Sequence, residues 1–385
     1  MGVVGGSIAG CAMAVAGTRA GADVTVYERS DGALQDRGLG IVIPPDLHGR
    51  LVELGYLDAA MPTAPVAEHV WLARSPGSGG TRELARQPSP VTPCNWGRLW
   101  QSLRASAGGA RHHRGRPVTS VERVPAGGAL IRTADGEEAY DIVVGADGHR
   151  SLTRQTVAPG LRPEPAGYLV WRGTIPVSAL TGRTLELLRG AWVTLGFPGG
   201  HGIFYLIPGA AGGDPRERLL AYAIYASPPA SPPGEEREPA PYVREIAEEH
   251  FPDEWAGIVA RSEHASLVCH PVADLHAPRA ADPPFVLAGD AAGITRPHTA
   301  SGAVKALQDA LCLERALGAC ASPAEALHRY TAERTPEGAR LVELGRRLGA
   351  AQVERTPDWS AMGQAEVDTW FRAVLAGNRS YLYDY

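Results

Sequence analysis

The chain opens on Val3-Val4-Gly5-Gly6-Ser7-Ile8-Ala9-Gly10 and soon reaches Ala22-Asp23-Val24-Thr25-Val26-Tyr27-Glu28. Read together, the two runs decide the fold. Val3 and Val4 close a short buried strand, and Gly5 permits a tight turn into a helix. The small Gly6 and Ser7 let backbone N–H groups approach a pyrophosphate at the positive end of that helix. Gly10 lets the helix pack closely on the strand. Glu28, at the end of the second strand, is placed to accept hydrogen bonds from a ribose hydroxyl. Strand, glycine turn, helix, strand and terminal acid form a dinucleotide fingerprint, with Ser7 where glycine is usual. The first strand is short, so the true start is expected a few residues upstream. The uncharged Met1–Thr18 lacks a basic leader and is too glycine-rich for a signal peptide or a spanning helix.

Outward from this stretch, 385 residues suggest two or three domains, and 44% hydrophobic with 21% charged residues suffices for a covered core. Glycine (46) and proline (32) stay below the level of low-complexity disorder. A net charge of -5 argues against a nucleic-acid partner. The cluster Arg111, His112, His113, Arg114 and Arg116 is short and reads as a solvated loop. Five scattered cysteines without a CxxC pair support neither a disulfide scaffold nor a metal site, and fit a reducing, cytoplasmic setting. Lys305 is the single lysine among 37 basic residues. Coding bias explains the scarcity but not the position of the survivor, for which chance or surface placement is the alternative.

Residues Gly38–Gly55 read as a loop entering a short helix. Strands are expected near His69–Arg74 and Thr81–Ala85, and a helix over Asn95–Ala107. Ala129–Thr133 and Tyr140–Val144 read as a strand pair closing on Asp147. Five β segments follow, at Tyr168–Ile175, Ala191–Gly196, Gly202–Ile207, Leu219–Tyr225 and Ala265–His270. A Pro-rich linker (Pro228 to Pro241) and a helix near Tyr242–His250 interrupt them. A buried strand, Pro284–Ala288, ends in Gly289-Asp290, and from Gly302 the pattern is helical. The expected class is α/β: a Rossmann-type nucleotide domain interrupted by a mostly antiparallel β-sheet substrate domain, with C-terminal helices. The nucleotide domain takes 1–65, 96–160 and 281–385; the substrate sheet takes 66–95 and 161–280. With one fingerprint, a second nucleotide cofactor has no Rossmann site of its own.

Three separated segments carry a family resemblance. They are the fingerprint with Glu28-Arg29, the run from Asp141 through Asp147-Gly148 to Ser151 and Arg154, and Gly289-Asp290-Ala291-Ala292 with Arg296-Pro297-His298 and Gly302. Together they resemble the single-component FAD-dependent aromatic hydroxylases, the para-hydroxybenzoate hydroxylase class. Gly167-Tyr-Leu-Val-Trp-Arg-Gly173 and the run from Arg296 to Lys305 are most similar to the 2,6-dihydroxypyridine 3-hydroxylase branch. The resemblance implies that Gly5, Gly6, Ser7, Gly10, Glu28 and Arg29 bind the adenosine half of FAD. It places Asp147 and Gly148 at FAD and NAD(P)H, Asp290 on the ribityl chain, and Pro297 against the isoalloxazine ring. Backbone N–H groups from Thr299 through Ala300 and Ser301 to Gly302 would stabilise charge on the reduced flavin, and Gln101 would contact it from its helix. Three positions depart from the pattern. Trp96 stands where the family commonly has Arg, with Arg98 displaced by two; Gly293 stands where His often follows; and Ala300 replaces a frequent glycine.

The implied activity is that of an FAD-dependent monooxygenase. NADPH or NADH reduces FAD, O2 adds to give a flavin hydroperoxide, and an electron-rich, hydroxylated or nitrogen-containing aromatic ring is hydroxylated. Pro297 and His298 belong to the reacting loop, and Tyr205 and His201 are the candidates for a proton-accepting group near the substrate. Structural alternatives stand beside these readings. Asp147 could cap a turn, Pro297 and His298 could be ordinary loop residues, and Trp192, Tyr205 and Tyr222 could be core. His201 and His270 could be structural, and Trp171 and Arg172 could join sheet to domain. Epoxidation and Baeyer–Villiger insertion are alternative outcomes, and a non-catalytic flavin-binding module or a plain nicotinamide dehydrogenase are minor ones. A halogenase is disfavoured because Trp171–Pro176 keeps only the ends of WxWxIP, and a flavin disulfide reductase because no cysteine pair follows the fingerprint. The expected partners are a small aromatic substrate and O2, with no nucleic acid and no membrane span, in a monomer or homodimer.

Overall fold

Short, wholly apolar strands such as Gly2–Val4 and Val143–Gly145 are buried on both faces, as a parallel sheet between helices requires. In the computed structural model, which describes residues 1–32, 40–125, 127–180, 182–209, 214–228, 239–262 and 267–376, they form the centre of a six-stranded sheet. Its order is Ala281–Asp282, Phe285–Leu287, Val143–Gly145, Gly2–Val4, Thr25–Tyr27, Arg111–His113. All pairs are parallel except Ala281–Asp282 with Phe285–Leu287. The fingerprint helix Ile8–Arg19 packs against helices Gly302–Ala319 and Trp96–Ser106.

The second sheet has nine strands. Their order is Gly293–Ile294, Val268–His276, Glu164–Pro176, Leu219–Ala226, Gly200–Ile207, Ala191–Phe197, Val66–Arg74, Thr81–Asn95 and Gly40–Ile43. Only the pair Ala191–Phe197 with Val66–Arg74 is parallel. Residues alternate between two faces with the period of two that strands impose. Trp171, Val193, Phe204 and Leu206 pack outward with Val243, Ile246 and Trp255 of the helices Pro239–His250 and Asp253–Ala260. Tyr168, Val170, Ala223 and Tyr225 share the opposite face with Val353, and Trp71, Trp192 and Tyr205 with Leu344, Trp359 and Phe371 of the C-terminal segments. A three-stranded sheet, Ser120–Arg123, Ala129–Thr133 and Gly136–Tyr140, completes the set. Among the described residues, no helix is long and apolar enough to cross a membrane.

Several local expectations change. Gly40–Ile43 is a strand rather than loop, because it pairs with Thr92–Asn95. The strand expected to end at Ala85 continues to Asn95 through Pro88, Pro90 and Pro93. The register shifts opposite Val66 and Glu68, an irregularity of the kind that tolerates a missing donor. Tyr140–Val144 splits in two. Gly136–Tyr140 completes a hairpin with Ala129–Thr133, while Val143–Gly145 enters the parallel sheet. The helices Gly182–Gly190 and Asp253–Ala260 were not anticipated. Most of the Pro-rich linker, the first residues of Ala265–His270 and the start of Gly38–Gly55 lie outside the described residues.

Candidate active site

Three turns leave the carboxyl ends of adjacent parallel strands, the edge at which open α/β sheets bind ligands. The first is the fingerprint. Gly5 has φ +102°, and a methyl group there would lie 2.4 Å from the Ala146 carbonyl oxygen. A methyl on Gly10 would lie 1.8 Å from the Gly5 carbonyl oxygen, so the helix meets the turn itself with no room for a side chain. Ser7 precedes the helix and makes no side-chain cap, and the first-turn N–H groups have no intrahelical acceptor. Glu28 lies across the turn, accepting from the Gly6 amide at 2.8 Å and the Ser30 amide at 2.9 Å. Arg29 points to solvent. Trp100, buried in the neighbouring helix, donates its indole N–H to the Gly6 carbonyl at 2.9 Å. Two residues earlier, Arg98 keeps a buried Nε without a hydrogen-bond partner and reaches Gln101 Oε1 through its Nη1 at 3.4 Å.

Asp147 follows the strand Val143–Gly145. It accepts from the Ser151 hydroxyl at 2.5 Å, the amides of Leu152 and Thr153 at 2.8 and 3.1 Å, and the Thr153 hydroxyl. Its carboxylate therefore starts the short helix Leu152–Val157 and fixes Gly148, at φ +76°, in the turn. The capping alternative thus describes the side chain's contacts within the protein. Arg154, itself buried, donates to the carbonyls of His149, Asp290 and Ala291. One guanidinium thereby ties the second turn to the third.

In that third turn, Gly289 adopts φ +58° and its amide donates to Asp309 at 2.9 Å; Asp309 also pairs with Arg334 at 2.6 Å. Asp290 is half-exposed and pairs with Lys305 Nζ at 2.5 Å, while the Lys305 side chain is only 6% exposed. The lone lysine is therefore an interior group on the helix Gly302–Ala319, and surface placement is excluded.

The chain then forms the tight turn Pro297–Thr299. Pro297 is exposed and His298 is buried, with its Nε2 at 2.6 Å from the Tyr168 hydroxyl and its ring 4.5 Å from Tyr225 and 5.1 Å from His201. Ala300 sits at φ 48°, the left-handed region where the family's frequent glycine is the unstrained choice. The amides of Thr299 and Ala300 donate to the carbonyls of Arg296 and Pro297. The expected charge-stabilising set therefore contracts to the helix start at Gly302, because a one-turn helix spends its own donors.

Burial acts on the candidate proton acceptors. It draws His201 down to about 3, opposed by a hydrogen bond to the Gln352 carbonyl, and it leaves Nε2 without a partner. It holds Tyr205 above the usual phenol range, opposed by the nearby Arg172 guanidinium. Near neutral pH, His201 is thus a neutral, weakly basic ring and Tyr205 a protonated donor. Neither has the character expected of a proton acceptor. Burial, then His201 and Arg296, likewise lowers His298. Trp192 stacks on His69 at 3.5 Å, and Tyr222 joins the outer core.

The cradle suits an adenine dinucleotide: two glycines that admit no Cβ, a helix start with unspent amides, an acid across the turn, and the partnerless Arg98 Nε beside it. Trp100, Arg154 and Tyr168 escaped the sequence reading. Arg154 and Tyr168 lay inside the quoted motifs, but their partners are backbone or distant atoms that spacing does not reveal. Comparison with known proteins gives the same answer as the geometry. The FAD binding domain family matches residues 1–344. The chain is 31% identical over 372 residues to 3-amino-4-hydroxybenzoate 2-monooxygenase of Streptomyces cremeus, covering 92% of this chain and 88% of that protein. It is 27% identical over 334 residues to 2,6-dihydroxypyridine 3-monooxygenase of Paenarthrobacter nicotinovorans, covering 81% of each. The solved 2,6-dihydroxypyridine-3-hydroxylase from Arthrobacter nicotinovorans superposes with a TM-score of 0.80 at 24% identity, over 94% of this chain and 95% of that one. The chain belongs to the FAD binding domain family.

Proposed function

We propose that this member of the FAD binding domain family is an FAD-dependent, NAD(P)H-consuming monooxygenase that hydroxylates an electron-rich aromatic small molecule. The observation that carries the reading is the facing of two surfaces. The cradle at the carboxyl edge of the parallel sheet leads through Pro297–Ala300 onto the aromatic inner face of the nine-stranded sheet. Relatives covering most of the chain are named as monooxygenases of 3-amino-4-hydroxybenzoate and of 2,6-dihydroxypyridine. Bound FAD would supply the redox chemistry, hydride uptake from NAD(P)H and activation of O2.

The protein's part is to bind, orient and exclude water. Gly5, Gly6, Ser7 and Gly10 would receive the pyrophosphate, Glu28 the ribose, and Asp290, held by Lys305, the ribityl chain. Gln101 and Arg98 flank the cradle, with Gly148 at its rim. Pro297 would lie beside the flavin, with the helix start at Gly302 turned toward it. His298 anchors the turn to Tyr168. The same reading assigns 1–65, 96–160 and 281–385 to the nucleotide domain and 66–95 and 161–280 to the substrate sheet. The test is substrate-dependent NAD(P)H oxidation under labelled O2. One labelled oxygen atom on an aromatic carbon is expected; a product without label refutes the reading, and label in an epoxide or ester reassigns the outcome.

A further inference from the structure

The long helix Pro323–Gly349 runs on into a π turn, Ala350–Glu354, closed by the Arg355 amide on the Ala350 carbonyl at 2.7 Å. Residues four apart are neighbours on a helix surface, so Arg346, Ala350 and Glu354 make one row and Arg347, Ala351 and Arg355 the next. All six line one surface groove of about 540 Å³, with Arg296 and Val374. Each row carries long charged side chains at its ends and an alanine between them. The two alanines are the floor, and a larger residue at either position would fill the space above it. A groove of this volume is in the range that holds small ligands, and π turns occur frequently at functional sites.

The two rows differ in charge. In the first, Arg346 pairs with the buried Asp274 and with Glu164, while Glu354 pairs with Arg296, which Asp274 also holds. Three carboxylates there meet two guanidiniums, so any further anion must be taken by the second row. Arg347 and Arg355 have no carboxylate within ion-pair distance among the described residues. Arg347 is half-buried and donates through one Nη to the Ala373 carbonyl at 3.0 Å. That contact anchors the guanidinium and leaves it further donors. Arg355 is exposed at the other end of the row, about 12 Å away along the axis at most, a gap that two arginine side chains can close over Ala351.

A single carboxylate matches one guanidinium. Two of them match a group with at least two charges and several acceptor oxygens, and the guanidinium fork fits phosphate oxygens. We infer that the groove between Arg347 and Arg355 binds the phosphate groups of a small molecule, a pyrophosphate or a phosphate ester. None of the residues assigned to the flavin lines it, and the site stands whether or not the hydroxylase reading does.

Flavin-loaded protein, its FAD cradle already filled, is titrated calorimetrically with inorganic pyrophosphate in low-salt, magnesium-free buffer. Binding at one site per chain is expected, weakening as salt is added. Arg355→Gln should reduce affinity about 10-fold, and the double variant Arg347→Gln/Arg355→Gln about 100-fold, as loss of charge-assisted donors requires. Arg355→Lys should keep part of the affinity. Ala351→Glu keeps both arginines but puts a carboxylate on the floor; it should abolish binding with melting temperature and flavin content unchanged. No saturable binding to wild type, or Arg355→Gln and Ala351→Glu titrating like wild type, overturns the inference. NADP+ separates the sources of the phosphate. Displacement of pyrophosphate by NADP+ in wild type, with NADP+ binding lost in Ala351→Glu, supports the site as one for the nicotinamide cosubstrate; pyrophosphate binding that NADP+ leaves untouched supports it as one for another phosphate carrier.

Discussion

Asp290 and Lys305 form one ion pair with two unequal halves, and the inequality fixes what each substitution should cost. The lysine side chain is 6% exposed and the aspartate side chain 49%. Asp290→Asn leaves an ammonium inside the fold without its carboxylate, and breaking a buried pair in this way costs about 3–5 kcal/mol. Asp309, also on the helix that carries Lys305, is already held by Arg334 and the Gly289 amide, so it compensates little. Lys305→Met instead leaves a half-exposed carboxylate that water can solvate. Its loss should resemble that of a surface pair, about 1 kcal/mol or less. The double variant removes the stranded charge and should recover most of the deficit of Asp290→Asn. Urea unfolding of the apoproteins, read as midpoint and slope, measures all four corners of the cycle. A loss for Asp290→Asn no larger than for Lys305→Met, or a double variant as weak as Asp290→Asn, would refute the burial argument. A separate flavin titration tests the cofactor side, where Lys305→Met should weaken FAD retention or slow flavin reduction.

Three further outcomes follow from local geometry. Gly10→Ala puts a methyl 1.8 Å from a backbone oxygen that cannot rotate away; the purified variant should lose most of its flavin absorbance and unfold at lower temperature. Ala300→Gly relieves a left-handed alanine at φ 48° and should raise stability by roughly 1 kcal/mol in urea; a loss would show that the methyl packing against the sheet outweighs the strain. The third concerns pH. His201, lowered to about 3 by burial, binds its proton more readily when unfolded, where its value is near 6.5. Stability from this group is therefore full above pH 6.5 and falls as pH drops toward 3, by up to about 1.4 kcal/mol per pH unit. His201→Asn should flatten the slope of unfolding free energy between pH 6.5 and 5.

The parallel half of the fold was legible because its signals are local. Gly5, Gly10 and Glu28 report a turn, a contact and a strand end within one βαβ unit, and Pro284–Ala288 announces its strand by apolar content and the Gly289-Asp290 that follows. The antiparallel half was legible as strands but not as pairings. Gly40–Ile43 looks like loop until Thr92–Asn95 supplies its hydrogen bonds, and three prolines mask the length of Thr81–Asn95. The proton-accepting roles given to Tyr205 and His201 fared worst, since both depend on burial. Both lie on the strand Gly200–Ile207, whose other residues are glycine or apolar, and what covers their face is settled by residues more than a hundred positions away, such as Gln352 beside His201.

The residues that escaped sequence reading have one thing in common. Trp100 donates to the Gly6 carbonyl, Arg154 to the carbonyls of His149, Asp290 and Ala291, and Asp309 accepts from the Gly289 amide. In each case a side chain from outside a cofactor turn grips the backbone of that turn. Backbone atoms are present whatever the residue, so no spacing rule can flag the acceptor. Ordering a turn costs about 1–2 kcal/mol per residue, and that cost is charged to binding when the ligand must do the ordering. Here the fold meets it in advance, since Trp100, Arg154 and Asp309 pin the turns after Val4, Gly145 and Leu287 to each other and to the core. The cradle's shape is thus a property of the folded chain, and the motif glycines are necessary but not sufficient for it. They make the turns possible, while Trp100, Arg154 and Asp309 select one geometry among those the glycines allow.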